Sequence, residues 1–351
     1  MTTRAPYLRP LDLKRGRIDL NHGGGGRAAT QLVDELFRRA FDNPLLGEGD
    51  DAARLDPPAG HRLVIATDGH VISPLFFPGG DIGRLAVHGT VNDVAMLGAT
   101  PRWLSAGFVL EEGLALADLA RIVESMAAAA RDAGVAIVTG DTKVVERGKG
   151  DGVFITTTGV GHLPPARRIG GAMARPGDAV LVSGTLADHG VAILAQREAL
   201  AFDTPVVSDC AALHGLVAQL LSSLPEGAVH TLRDPTRGSF ASSLHQDARP
   251  VGAGPARGEP AIPIKPQVRA ACELLGLDPL YIANEGKCIV VCTPAHADAA
   301  LAALRAHPLG RDAARIGEVT DDPHRFIEMG TELGGRRIVD WLSGDPLPRI
   351  C

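Results

Sequence analysis

The sequence predicts a two-domain protein, an α/β half followed by an α+β half, with an extended tail at the end. Three observations predict it. A chain of 351 residues is near the usual length of two domains and long enough to bury a sizeable core. In the first half, short β-branched runs at 63–67, 135–139 and 153–160 alternate with stretches of helical periodicity. After the polar turn Arg175-Pro176-Gly177-Asp178 a new strand starts at Ala179–Ser183, as a second domain would.

Within the first half, Leu116, Leu119, Ile122, Val123, Met126 and Ala130 recur at helical spacing over 116–130, with Gly134 as the C-terminal stop. A second helix is expected over 81–97, with Asp81 as its N-cap. The domain boundary falls near 163–177. The second half carries helices at 209–224, 266–275 and 295–306, a strand at 287–292, and a Pro/Gly-rich stretch at 249–260. The expected organisation is an N-terminal segment 1–45, domains 46–162 and 175–330, and a mobile tail 341–351 in which Pro346 and Pro348 favour an extended backbone. No short-period repeat of solenoid type is present.

Composition narrows the function. The charged fraction is 22%, and the net charge of −6 argues against a nucleic-acid or anionic-membrane surface and for a small-molecule or protein partner. Aromatics are only 4%, while 42 Gly and 25 Pro imply an aliphatic core with many tight turns. The five cysteines, at 210, 272, 288, 292 and 351, form no metal-ligand pattern. Cys288 and Cys292 read as structural thiols on a buried strand. No apolar run approaches the ~20 residues needed to span a bilayer, and no signal core opens the chain, so the expectation is a cytoplasmic protein whose thiols stay reduced.

Acidic residues stand at the ends of apolar segments, where a ligand meets them: Asp50, Asp51, Asp68 and Asp141. Asp93 is the most telling. On the helix from Asp81, residues Ile82, Leu85, Ala86, Gly89, Asn92, Asp93 and Met96 share one face, so a carboxylate points where apolar residues point. That is costly unless the acid is paired or metal-bound. Each acid alone is more often a turn residue, N-cap or solvated charge. Together they suggest Mg²⁺ held with phosphates. The run Asn21-His22-Gly23-Gly24-Gly25-Gly26-Arg27 can offer backbone N–H groups to an anion, although four glycines also make a plain joint. Neither a P-loop nor a dinucleotide fingerprint is present. Lys143, just after a buried strand, could neutralise a phosphate or a developing anion. Glu285, just before another, could be a general base if desolvation raises its pKa. Either residue, seen alone, is a loop charge.

Residues 74–84, 90–99 (Thr-Val-Asn-Asp-Val-Ala-Met-Leu-Gly-Ala), 139–147, 233–238 (Arg-Asp-Pro-Thr-Arg-Gly), 283–287 and the ending Pro348-Arg349-Ile350-Cys351 together resemble one family. It is the HypE family of hydrogenase maturation factors, within the superfamily of aminoimidazole-ribonucleotide synthetase, selenophosphate synthetase and thiamine-monophosphate kinase. The similarity runs from about residue 18 to 351, and the Pro-Arg-Ile-Cys ending is the part specific to HypE.

The resemblance implies a PurM-like fold, a homodimer joined through the N-terminal sheets, and ATP bound near the dimer interface. It implies that the partner HypF, a carbamoyltransferase, loads Cys351. ATP-dependent dehydration then turns the S-carboxamide into an S-cyanate, and the cyano group passes to iron on the HypC–HypD complex. It assigns Mg²⁺ to Asp50, Asp51, Asp68, Asp93 and Asp141. To the nucleotide it assigns His22, Gly24, Gly25, Asp81, Asn92, Asp141, Asp234 and Arg237, and to the thiocarboxamide Lys143, Glu285 and Cys351. Residues 239–259 depart from the family pattern, with a helix shortened by Pro250, so no ligand is carried over from that region beyond Asp234 and Arg237. His70 receives no role. Two other readings stay open: a small-molecule kinase or synthetase of the same superfamily with an incidental tail, and a nucleotide-binding scaffold that uses its tail for docking.

Overall fold

A computed structural model describes residues 9–48, 50–198, 205–236, 239–247, 252–254, 261–322, 324, 326–331 and 335–342. Arg237, Cys351 and the tail from 343 onward therefore lie outside the described residues.

The first half is built on four strands, β1 (Arg62–His70), β2 (Thr100–Glu111), β3 (Ala136–Val145) and β4 (Val153–Leu163). They form one sheet in the order β1-β4-β2-β3, with β2 and β3 parallel and the other pairs antiparallel. Two helices, α1 (Ile82–Ala95) and α2 (Leu116–Asp132), cover one face. Their apolar residues pack on Leu104, Ala106, Phe108, Leu110, Val153 and Ile155. The parallel β2–β3 pair needs a crossover, and α2 supplies it. Gly134 takes the left-handed conformation (φ +65°) just past the helix end, as the sequence predicts.

The opposite face of this sheet is bare. Leu63 is 60% and Ile65 72% exposed. Ile65 lies beside Val160 and Val160 beside Trp103, so an apolar row crosses three strands on the open side.

The second half carries β5 (Ala179–Val182), β6 (Val229–Arg233), β7 (Gly252–Gly254), β8 (Ile289–Cys292) and β9 (Ala314–Thr320), all antiparallel in the order β6-β8-β5-β9-β7. Among the described residues, five α-helices accompany them: α3 (Asp188–Arg197), α4 (His214–Ser222), α5 (Ser239–Asp247), α6 (Pro266–Leu275) and α7 (Ala297–Arg305). A ribbon of β10 (Ile327–Gly330) and β11 (Arg336–Val339) leads to the tail. Among the described residues, no helix is long and apolar enough to cross a membrane.

Sequence periodicity misses β2, the strand at the middle of the first sheet, because Pro101, Arg102 and Gly107 interrupt its alternation. It also misses α3 and the β10–β11 ribbon. The helix expected from 209 begins only at His214. The preceding residues are drawn out of helix by tertiary bonds: the Leu213 N–H donates to Asn92 Oδ1 (2.7 Å), and Asp209 pairs with Lys287.

Helix α1 is expected to bury one face, yet twelve of its fourteen residues are buried. Such a helix has no solvent side because other elements surround it. The sheet lies on one side, α2 on another and the second half on a third, where Ala95 and Met96 join the core around Leu213, Leu216 and Val217.

Asn92 is the brace of this junction. Its Nδ2 donates to the carbonyls of Ala211 (3.0 Å) and Glu285 (3.3 Å) while its Oδ1 accepts from Leu213. Asn92→Ala would leave a buried N–H and buried carbonyls without partners, at a cost of at least about 2 kcal/mol, since each orphaned buried group costs ~1–3 kcal/mol. Chemical denaturation checks this, and the loss should appear in the stability of both halves.

Candidate active site

The acids expected to hold one metal fall into two groups. Asp68 sits on β1 and Asp141 on β3, the opposite edges of the sheet. Three strand spacings separate those edges, about 14 Å. A single metal held by Asp50, Asp51, Asp68, Asp93 and Asp141 is therefore not formed within one chain.

The first group surrounds a cavity of about 440 Å³ beside β3. Its polar lining includes His22, Gly25, Asp50, Asp141 and Lys143, and its apolar lining includes Phe37, Phe41 and Ile137. The glycine run is seated on β3: a Cβ at Gly23 would come within 2.6 Å of the Val144 amide nitrogen. Gly25 adopts φ +72°, which favours glycine. Gly24 ends the 3₁₀ turn Leu20–Gly23. His22 is buried, and its Nδ1 accepts the Asp19 N–H (3.1 Å).

Lys143 Nζ lies 2.7 Å from Asp141 Oδ2, both side chains being about two-thirds exposed. The Lys143 hydrogen bond holds the Asp141 carboxyl below its usual range. Asp50 pairs with Arg54 at 3.2 Å, and Asp51 is exposed.

The second group lies at the junction of the halves. Asp68 from β1, Asp93 from α1, Asp234 just after β6 and Glu285 just before β8 are close enough for their charges to act on one another. Burial, then the charges of Asp234 and Asp68, push the Asp93 pKa up to about 8. Burial pushes Asp234 up to about 6, and its enclosed Oδ2 has no hydrogen-bond partner. Burial first, then Asp209, Asp234 and Asp68, hold the Glu285 carboxyl well above the usual range. Sequence reasoning anticipates this desolvated Glu285.

Three neighbours escape the sequence reading. Lys287, only 2% exposed, forms an ion pair with Asp209, and the Gly286 N–H also donates to Asp209 Oδ2 (3.3 Å). A Cβ at Gly286 would overlap the Asp209 carbonyl oxygen, so only glycine lets Glu285 and Lys287 flank that backbone. Lys287 is legible in retrospect, two residues from Glu285, whereas Asp209 stands in an irregular segment without pattern. The third is His70, buried beside Asp68 with Nε2 3.8 Å from Oδ2. Its signal is the i, i+2 spacing that puts Asp68 and His70 on one face of a strand.

Two expected nucleotide ligands have other work. Asp81 caps α1, accepting the Gly83 and Arg84 N–H groups (2.8 and 3.0 Å), and Asn92 has its amide fully engaged as the brace described above.

Among the described residues, no three His, Cys, Asp or Glu side chains form a ready metal site. The residues nevertheless fit Mg²⁺, which takes one or two carboxylates and completes its shell with water and phosphate. Crowded acids with raised pKa values and a buried, unpartnered Asp234 oxygen are what a divalent cation would relieve.

Comparison with known proteins places this arrangement in a class. Residues 49–163 match the family described as AIR synthase related protein, N-terminal domain, and residues 175–330 its C-terminal domain. The chain is thus an AIR synthase-related protein carrying both domains, with the PurM-like two-domain α/β and α+β fold. It is 64% identical over 350 residues to the carbamoyl dehydratase HypE of Cupriavidus necator, covering 100% of this chain and 99% of that one. It superposes on the crystal structure of a hydrogenase maturation protein HypE in complex with ATP with a TM-score of 0.90 at 51% identity, covering 95% and 99% of the two chains. The HypE–HypF complex structure matches with a TM-score of 0.77 at 46% identity, covering 89% and 99%. The chain belongs to the HypE family.

The Asp93 shift has a sign. Its pKa of about 8 in the folded protein exceeds the unfolded value of 3.8, so its contribution to stability is fully present below about pH 4 and is lost as pH rises toward 8. In cation-free buffer at pH 8, Asp93→Asn should therefore melt higher than the parent by about 2–4 °C or more, since each kcal/mol shifts Tm by roughly that much. The gap should close toward pH 4, and a pH series of melting curves checks it.

Proposed function

We propose that this chain carries a carbamoyl group on Cys351 and, with ATP, dehydrates it to a thiocyanate that supplies the cyanide ligands of the iron in [NiFe]-hydrogenase. The observation that carries the reading is Glu285, a desolvated carboxyl at the junction of the two halves beside the buried Lys287–Asp209 pair. Membership of a family whose relatives are called carbamoyl dehydratase supports it.

Dehydration of a thiocarboxamide removes its oxygen and both nitrogen protons, and an amide oxygen is a poor leaving group. ATP supplies a phosphoryl group that turns this oxygen into a good one, and Mg²⁺ would screen the phosphate charge. Glu285 accepts nitrogen protons. A carboxyl that holds its proton tightly is a strong base once ionised, and neutralising Asp68 and Asp234 removes two of the charges that raise its pKa. Lys143 and the glycine loop offer positive charge and N–H donors to phosphate at the cavity beside β3. Asp68, Asp93 and Asp234 would hold the metal, with Asp50 and Asp141 at the cavity.

The bare sheet face with Leu63, Ile65 and Trp103 supports a homodimer through the N-terminal sheets. A second copy on that face is the route by which acids on opposite sheet edges meet at one nucleotide near the interface. HypF, which a relative meets in a complex structure, is the carbamoyl donor in this reading, and the HypC–HypD complex the cyano acceptor, all in the cytoplasm.

Single-turnover assays on S-carbamoylated protein test the reaction. Glu285→Gln should slow ATP-dependent loss of water by about 10²–10⁴-fold, the usual contribution of a positioned base, and leave nucleotide affinity near the parent value. Cys351→Ala should abolish carbamoyl acceptance with nucleotide binding intact. A carbamoyl group accepted without Cys351, or phosphoryl transfer to a free metabolite by the tail-deleted chain, would overturn the proposal.

A further inference from the structure

The last described residues are held with more care than a chain end needs. Val339, the end of β11, is buried among Phe240, Leu244, Ile327 and Met329. The Nε2–H of His245 on α5 donates to the Val339 carbonyl (2.8 Å). The Tyr281 hydroxyl, from the 3₁₀ turn Pro279–Tyr281, donates to the next carbonyl, that of Asp340 (3.0 Å). The Trp341 ring then stacks on the His245 ring, with centroids 4.7 Å apart and planes 17° from parallel. Arg337 ties the same strand to that turn through Asp278 (2.7 Å).

The stack is unusual for its position. Trp341 is 46% exposed, so one ring face covers His245 and the other meets solvent, while His245 itself is buried. A ring placed this way adds little to the core. Its imidazole partner is already locked by the Val339 carbonyl, so the stack acts on the chain direction at residue 341. Ten residues follow Trp341, ending at Cys351. Ten residues span at most about 36 Å, and about 31 Å in polyproline geometry. With a tether this short, the point and direction of departure set how often the thiol meets a fixed site.

We propose that Trp341, seated on His245 and backed by the Tyr281–Asp340 hydrogen bond, is the pivot of the tail, a positioning residue that fixes where and in which direction the Cys351 thiol sets out toward the site at Glu285. The inference rests on the reading of Cys351 as the carbamoyl carrier and assigns that reaction a residue outside its chemistry. Trp341 is assigned the role of positioning alone. It acts in cis only, on the tail that grows from it.

The experiment separates cis from trans. Full-length Trp341→Ala, loaded with a carbamoyl group, should dehydrate its own tail about tenfold more slowly than the parent, and Trp341→Phe, which keeps a ring on His245, should restore most of the rate. His245→Gln, which keeps a donor for the Val339 carbonyl but loses the stack, should behave like Trp341→Ala. In the Cys351→Ala background, offered an S-carbamoylated peptide with the sequence of residues 345–351, the Trp341→Ala and parent chains should act at equal rates. Equal cis rates for parent and Trp341→Ala would overturn the pivot, and so would an equal fall in cis and trans, which would make Trp341 a structural residue. A parent chain that never dehydrates its own tail would instead remove the reading beneath it.

Discussion

Carboxyl groups repel one another most strongly where water is scarce, and four of them meet at the junction of the two halves. Asp68, Asp93, Asp234 and Glu285 come from β1, α1 and the two segments that flank the second sheet. Burial, and then the charges of their neighbours, push Asp93 up to about 8 and hold Glu285 well above the usual carboxylate range. Much of the surrounding structure follows from holding these groups in place. Helix α1 is buried nearly all round so that Asp93 can face the second half. Asn92, its neighbour, spends its whole amide on Ala211, Leu213 and Glu285. Gly286 has no side chain because the Asp209 backbone must pass there.

The same constraint explains why the site is divided. In the proposed reading the phosphate-binding surface, which needs donors and positive charge, is the cavity beside β3 with its glycine loop and Lys143. A base needs desolvation, which the junction supplies. In the proposed dimer, a second copy on the open face of the first sheet would cover the apolar Ile65–Val160–Trp103 row and bring the two kinds of surface to one nucleotide.

Much of this was legible in the sequence, and for identifiable reasons. The Asp81 cap, α2 with its Gly134 stop, and α6 from Pro266 to Leu275 are local features, set by periodicity and capping chemistry. Asp93 was legible as a charge on an apolar helix face, and Glu285 as an acid poised before a buried strand. What local pattern cannot encode is which distant groups meet. Asp209 and Lys287 pair across 78 residues, Asn92 braces the junction, and β2 is recruited to the sheet centre despite Pro101 and Gly107. The division of the acids into two groups is likewise a property of strand order, and spacing along the chain carries no record of it.

If the junction acids form a cation-relieved site serving ATP, they give up protons when it binds. Preformed Mg-ATP titrated calorimetrically into the protein at pH 7, in two buffers of different ionisation enthalpy, reports the protons exchanged on binding. Asp93, pushed up to about 8, holds a proton at that pH. Net proton release is expected, and it should be smaller in Asp93→Asn. Binding of Mg-ATP with no proton release would contradict this reading.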